Sequence, residues 1–380
     1  MKLSDSALPC LLSVMNEHRR YEIALSLLPC LKPADARLLF EKAGSAEAVF
    51  SDKKLRCIEQ LNPKVIQEIV TSSALKRADK EIEYCLNYNI QVRFITDTDY
   101  PYRLAACQDA PLVLYSKGIS NLNAKRIVSI VGTRRATRQG VNLTEKLVRE
   151  LAANFPDLII VSGLAYGIDI TANSTAVSSG INTVAVVAHG LQEIYPAIHR
   201  KTALEIIKNG SILTELPYGT PPEPFRFIQR NRIVAGLCDA CIVMESAEKG
   251  GSMITAEMAS DYGRDVFAYP GRPADERSAG CNLLIKKQLA SLATSADDIL
   301  TMMNWQKAKQ AKAEQATLFP DITPIQKLLI ERMQPGELKK IEDFSGETGL
   351  SMAEILSNLM QLELNGQIES LPGGSYLKKC

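Results

Sequence analysis

Apolar positions recur at helical spacing through the N-terminal part of the chain: Leu8, Leu11, Leu12 and Met15, then Ile23, Leu25, Leu27 and Leu28, then Ala36, Leu38, Leu39 and Phe40. Short polar breaks separate these groups, which predicts a small helical bundle without strands. From Ile90 the pattern shortens. Gln91 to Ile95 and Leu112 to Tyr115 read as strands, with Asp99-Tyr100-Pro101 and the turn Asp109-Ala110-Pro111 between them.

From Arg126 onward, short apolar runs alternate with helical ones. Ile127 to Val131, Leu158 to Val161, Thr183 to Val187, Ile212 to Leu213, Ala240 to Met244 and Val266 to Ala268 are predicted strands. The helices between them begin at Gly140, Gly167, Ile198, Phe225 and Met253. Val- and Ile-rich strands separated by crossover helices specify a parallel sheet covered on both faces, an α/β doubly wound domain. Such sheets take ligands outside the carboxyl ends of their strands, so the loops there are where function is sought.

Gln306 to Gln315 is polar and rich in Ala, Lys and Gln, as a linker would be. Helical spacing restarts at Thr323-Pro324 and returns through Met352, Ile355, Leu356, Leu359 and Leu362. Ile368 to Leu371, the turn Pro372-Gly373-Gly374 and Ser375 to Leu377 close the chain as a hairpin. Three helices and a hairpin make a winged-helix pattern. The domain limits are therefore 1–85 for the helical part, 86–304 for the α/β part, 305–320 for the linker and 321–380 for the winged helix.

The chain has 380 residues, of which 46% are hydrophobic, and 44 Lys and Arg against 43 Asp and Glu. Two or three domains with a real core fit that length, and bulk positive charge is excluded as a means of holding nucleic acid. Charge by segment says more: the last sixty residues carry six cations and nine acids, whereas Lys125 to Gly140 carries five cations and no acid. Nine scattered cysteines suit reduced thiols in a cytoplasmic protein. No run of about 18 apolar residues and no signal-peptide pattern occurs, so neither membrane spanning nor secretion is expected.

Three predicted strand ends carry small or polar clusters: Gly132-Thr133-Arg134-Arg135, Ser162-Gly163-Leu164-Ala165, and Lys249-Gly250-Gly251-Ser252. Small residues at a strand-to-helix turn let backbone amides approach an oxyanion, and the helix N-terminus adds its positive end. Arg134 supplies the planar, permanently charged fork that suits phosphate. Glycine also closes tight turns with no ligand, so the coincidence of three such turns carries the reading, not any one of them. No GxGxxG, no Gly-Lys of a P-loop and no GxSxG occurs, which argues against dinucleotide chemistry, P-loop hydrolysis and a serine elbow. Cys238 and Cys241 have metal-like spacing, but no second pair follows and they read as core; no cofactor or metal is expected.

Phe225 to Ile233 holds three arginines and two aromatics, with no acid from Pro224 to Cys238. Stacking rings and guanidinium groups together suit single-stranded nucleic acid. For Phe225 and Phe227 the core of a structural helix is the favoured reading. For Arg230 and Arg232, phosphate binding and bridging of backbone groups remain open alternatives.

These segments, in order, resemble the DNA-processing protein A family (DprA, also called Smf). The carriers are Ile130 to Arg134, Val161 to Asp169, His189-Gly190-Leu191 with Tyr195-Pro196, Gln229 to Gly236, Gly251 to Ala256 and Gly263 to Gly271. The resemblance implies a Rossmann-like core, an N-terminal helical domain of SAM or helix-hairpin-helix type, and a C-terminal winged helix. It further implies a non-enzymatic, cytoplasmic homodimer that binds incoming single-stranded DNA during natural transformation. Such a protein protects that DNA and loads RecA recombinase past single-strand-binding protein. The implied DNA-binding residues are Gly132, Thr133, Arg134, Arg135, Ser162, Gly163, Arg230, Asn231, Arg232, Lys249, Gly250, Gly251 and Ser252.

The chain departs from the family pattern at Gly250, Ile228 and His199, and Leu28 to Pro33 lacks the Gly-Ile-Gly of a DNA-binding hairpin. The same superfamily contains nucleotide phosphoribohydrolases with the signature PGGxGTxxE. Gly250 to Glu257 mimics its spacing, but Lys249, Met253 and Ile254 replace its Pro, Gly and Thr, so no hydrolysis is expected. The acidic winged helix is expected to have a protein-interaction or regulatory role rather than to recognise duplex DNA.

Overall fold

The computed structural model describes residues 18–29, 31–51, 62–305, 323–334, 338–371 and 374–378. The predicted helix over Leu8 to Met15, the linker from Gln306 and the Pro372-Gly373 turn lie outside them. The chain divides into two compact units, Met1–Gln306 and Lys307–Cys380.

The first unit opens with helices: α1 over residues 18–26, α2 (Pro33–Ala43), α3 (Ala46–Ser51), α4 (Pro63–Thr71) and α5 (Ser73–Asn87). Proline in the first turn starts α2 and α4, where its missing N–H costs nothing. Their apolar faces, including Ile23, Leu39, Phe50 and Ile69, share one core with Phe94, Leu112, Val113 and Tyr115 of the first strands. The helices are thus continuous with the sheet.

Strand β1 (Gln91–Phe94), helix α6 (Tyr102–Ala105) and strand β2 (Val113–Gly118) lead into the alternating part. There follow β3 (Ile127–Val131), α7 (Arg138–Asn154), β4 (Ile159–Ser162), α8 (Ile168–Ser178), β5 (Asn182–Val186), α9 (Arg200–Asn209), β6 (Ser211–Thr214), α10 (Pro224–Leu237), β7 (Ala240–Val243), α11 (Gly251–Asp261) and β8 (Asp265–Ala268). Helix α12 (Ala279–Lys286), strand β9 (Ser291–Leu292) and helix α13 (Ala296–Met302) complete the unit.

The nine strands form one sheet in the order β1-β2-β6-β5-β4-β3-β7-β8-β9. All neighbours from β6 to β9 are parallel, and only β1 with β2 and β2 with β6 are antiparallel. The chain winds from β3 outward to β6, returns to β7 beside β3, and winds the other way. Every residue of β3, β4, β6 and β7 is buried, because helices cover both faces. The switch of direction falls between β3 and β7, where a doubly wound sheet leaves a crevice.

Asp99-Tyr100-Pro101 and Asp109-Ala110-Pro111 form a bracket between β1 and β2. The buried Tyr100 hydroxyl donates to the Pro111 carbonyl at 2.5 Å, and Tyr262 donates to Asp109 Oδ1 at 2.7 Å. Arg103 on α6 donates twice to Asp239, at 2.7 and 2.9 Å, and Asp239 also accepts the Ile127 amide. Cys238 and Cys241 are wholly buried, in the core.

The second unit comprises α14 (Pro324–Glu331), β10 (Leu338–Lys340), α15 (Ile341–Thr348), α16 (Met352–Leu364), β11 (Ile368–Leu371) and β12 (Ser375–Lys378), with sheet order β10-β12-β11. Capping boxes at Thr323 with Gln326 and Ser351 with Glu354 start α14 and α16. Leu329, Phe344, Ile355, Leu359 and Leu362 form its own core.

Candidate nucleic-acid interface

A cavity of about 310 Å³ lies at the switch point, outside the carboxyl ends of β3 and β4. Its wall comes from three loops and helix α10. The β3–α7 loop contributes Gly132, Thr133 and Arg134, the β4–α8 loop Gly163, Ala165 and Asp169, and the start of α11 Gly250, Gly251 and Ser252. Helix α10 contributes Phe227, Ile228, Arg230 and Asn231. The predicted loops from distant parts of the sequence do converge on one site.

The loop backbones are tied to each other. The Thr133 amide donates to the Glu245 carbonyl at 2.7 Å, and the Ile168 amide to the Thr133 carbonyl at 3.2 Å. Gly132 has no room for a side chain, since a Cβ there would lie 2.5 Å from Ile168 and 2.9 Å from the Glu245 carbonyl oxygen. Helix α11 begins at the cavity with Gly250 as its N-cap and neither a side-chain cap nor an acid in its first turn. Its positive end faces the cavity.

Three charged groups set the electrostatics. Arg134 is exposed, with its guanidinium carbon 5.0 Å from the centre of the Phe227 ring, and Phe227 in turn meets the Tyr195 ring at 5.9 Å. Arg230 is buried; its Nη1 donates to the Gly163 carbonyl at 2.6 Å and to the Val186 carbonyl, joining the ends of β4 and β5. Burial pulls its pKa down to about 10 against the pull of Asp169, which leaves it charged at neutral pH. Burial pushes the Asp169 carboxyl above its usual range, opposed by Arg230, the Ala165 amide and Arg134. Two cations against one reluctant acid favour an anionic ligand.

Not every residue singled out from sequence lies in this wall. Arg135 and Lys249 are exposed beside it in the chain, and the Arg135 carbonyl accepts from Arg277 at 2.8 Å. Ser162 is fully buried and donates to the Ile130 carbonyl at 2.6 Å, inside the sheet. Arg232 turns to the other face of α10 and pairs with Glu215. Asn231 lies in the wall, with Nδ2 3.4 Å from the Gly251 carbonyl.

The reading of the aromatics as core does not hold: Phe225 is 53% exposed, and Phe227 lines the cavity. Two positions apart, the two rings point to different sides of α10, and only Phe227 reaches the cavity. Asp169 and Ala165 are wall residues that the charge count passed over. Their signal was position, within a turn of Gly167, which has φ +76° and where a Cβ would lie 2.2 Å from the Thr133 carbonyl oxygen.

Residues 91–304 match the family model described as DNA recombination-mediator protein A. The chain belongs to this family. Residues 310–374 match the DprA winged helix domain. DNA processing protein DprA of Streptococcus pneumoniae is 41% identical over 206 residues, 54% of this chain and 72% of the relative. Protein Smf of Synechocystis is 30% identical over 358 residues, 85% of this chain and 88% of the relative. The solved DprA from Streptococcus pneumoniae superposes with a TM-score of 0.66 at 34% identity, covering 74% of this chain and 97% of that one. DNA processing protein A from Helicobacter pylori, whose structure is described as revealing a single-stranded DNA binding mode, superposes with a TM-score of 0.52 at 32% identity, covering 57% and 96%. For this DprA family member, the Rossmann-like core and winged helix expected from sequence are both present.

Proposed function

We propose that this DprA family member binds single-stranded DNA in the switch-point cavity, with phosphate oxygens against Arg134 and the backbone of Gly132, Thr133 and Gly250 to Ser252. The observation that carries this is the convergence of three small-residue loops, a helix N-terminus and Arg134 on one opening. Phe227 beside Arg134, with Tyr195 next to Phe227, adds ring faces on which bases stack. The relative from Helicobacter pylori, with its single-stranded DNA binding mode, supports the same reading.

On this reading the protein acts in the cytoplasm as a homodimer without a chemical step. It protects incoming DNA and hands it to RecA recombinase in place of single-strand-binding protein. A cavity fits a flexible single strand, which can splay its phosphates and bases, better than a rigid duplex.

Titration of a labelled oligo-dT by anisotropy tests the site. Arg134→Ala removes a charge-assisted phosphate contact of about 1.5–3 kcal/mol, a loss of roughly 10- to 150-fold in affinity. The salt dependence should flatten by about 0.7 in log–log slope, the value for one phosphate contact on a single strand. Unchanged affinity in Arg134→Ala would place the DNA elsewhere.

A further inference from the structure

Three tyrosines form a stack between α5 and the β6–α10 loop. Tyr84 on α5 and Tyr88 directly after it meet with ring centres 4.5 Å apart, and Tyr218 from the loop lies on Tyr84 at 4.1 Å and 29°. Spacings of three and four residues put Glu81, Tyr84 and Tyr88 on one helix face. Glu81 is buried, and each of its oxygens accepts from the Tyr218 amide at 3.0 Å. Burial pushes its pKa up, opposed by that amide and by Arg77. A buried carboxylate thus fixes the backbone of a surface loop residue. The stack nevertheless leaves its end rings in water: Tyr218 is 53% exposed and Tyr88 54%. Packing alone would cover such rings, whereas here a large flat face is held rigid and open.

The stack is continuous with the switch-point cavity. Phe227 in the cavity wall meets Tyr195, and the loop that carries Tyr195 is tied to the loop that carries Tyr218. Gln192 Oε1 accepts from the Gly219 amide at 3.1 Å, and Gln192 Nε2 donates to the Thr220 carbonyl at 3.2 Å. The Gly190 amide donates to the same carbonyl at 3.0 Å. Tyr218 follows β6, three strands from β3 in the sheet. At about 4.8 Å per strand that is roughly 14 Å along the carboxyl edge, or about four nucleotides at a rise of about 3.4 Å each.

Charge does not carry a contact here. Glu83, next to Tyr84 in the chain, and Glu193, on the Tyr195 loop, are exposed acids, while Lys117 has its Nζ 5.9 Å from the Tyr88 ring centre. What this surface offers is ring faces, which stack bases of any sequence. Resting on the single-strand reading of the switch-point cavity, we infer that Tyr218, backed by Tyr84, is a second stacking site for a base of the same strand. That base lies about four nucleotides from the phosphate at Arg134.

Anisotropy titration with labelled oligo-dT of two lengths tests this: about three nucleotides, too short to span both sites, and about fifteen, which spans them. Tyr218→Ala should weaken the longer oligomer by about 5- to 150-fold, the range for losing one stacked base, and leave the shorter one unchanged. Tyr218→Phe, which keeps the ring, should bind both as wild type does. A ring carries no charge, so the salt dependence of the longer oligomer should keep its slope in Tyr218→Ala, unlike Arg134→Ala. The fluorescence of Tyr218→Trp should be quenched by the longer oligomer and not by the shorter. No loss in Tyr218→Ala, an equal loss at both lengths, an equal loss in Tyr218→Phe or a flattened slope overturns the inference. Failure of wild type to bind the longer oligomer overturns the single-strand reading instead.

Discussion

Arg226, Arg230 and Arg232 stand close together in sequence on one helix, yet each meets a different partner. Arg226 pairs with Glu223 at 2.9 Å, Arg230 holds two carbonyls, and Arg232 pairs with Glu215. Successive residues turn about 100° around a helix, so an acid-free run does not give an unpaired cationic face. The partners lie far away in sequence, which is why counting charges left these arginines undecided. Gly132-Thr133-Arg134 was legible because the close approach there is local. Gly163 has little slack: a Cβ would lie 2.2 Å from Arg230 Nη1. Gly163→Ala is expected to cost about 1–3 kcal/mol of stability by forcing Arg230 off its carbonyls. Urea denaturation checks this, and a midpoint equal to wild type would show that Arg230 does not brace the two strand ends.

At the scale of elements, the α/β strands were legible to within a residue or two, since buried parallel strands are continuous apolar runs. Short elements were not. Strand β9 has two residues and β10 three, too few for a period to register. Helix α16 of the winged helix is more informative than its helical spacing alone. Ile355, Leu359 and Leu362 are its buried side, while Met352, Leu356 and Met360 are 53%, 42% and 56% exposed. No Lys or Arg occurs from Ile341 to Leu377, whereas six acids do. A helix with an apolar outer stripe whose own charges are all carboxylates attracts phosphate poorly and suits a protein partner. Truncation after Pro320 is therefore expected to leave oligo-dT affinity within about twofold of wild type by the same anisotropy titration. A loss of tenfold or more would make the winged helix part of the DNA site.

For the whole molecule, a net charge of +1 hides a local arrangement. Cations with internal partners are spread through the fold, and Arg134, exposed at the switch point, faces a cavity whose loops supply glycine, serine and threonine. Among the described residues no helix is long and apolar enough to cross a membrane. Sequence order alone placed the three loops at strand ends. Their meeting at one opening depends on the reversal of winding between β3 and β7, which only the assembled sheet displays. The most direct measurement is a crystal structure with a short oligo-dT. A phosphate is expected in the switch-point cavity, within hydrogen-bond distance of Arg134 and the backbone of Gly132 or Gly251, with a base on Phe227. A strand bound with that cavity empty would contradict it.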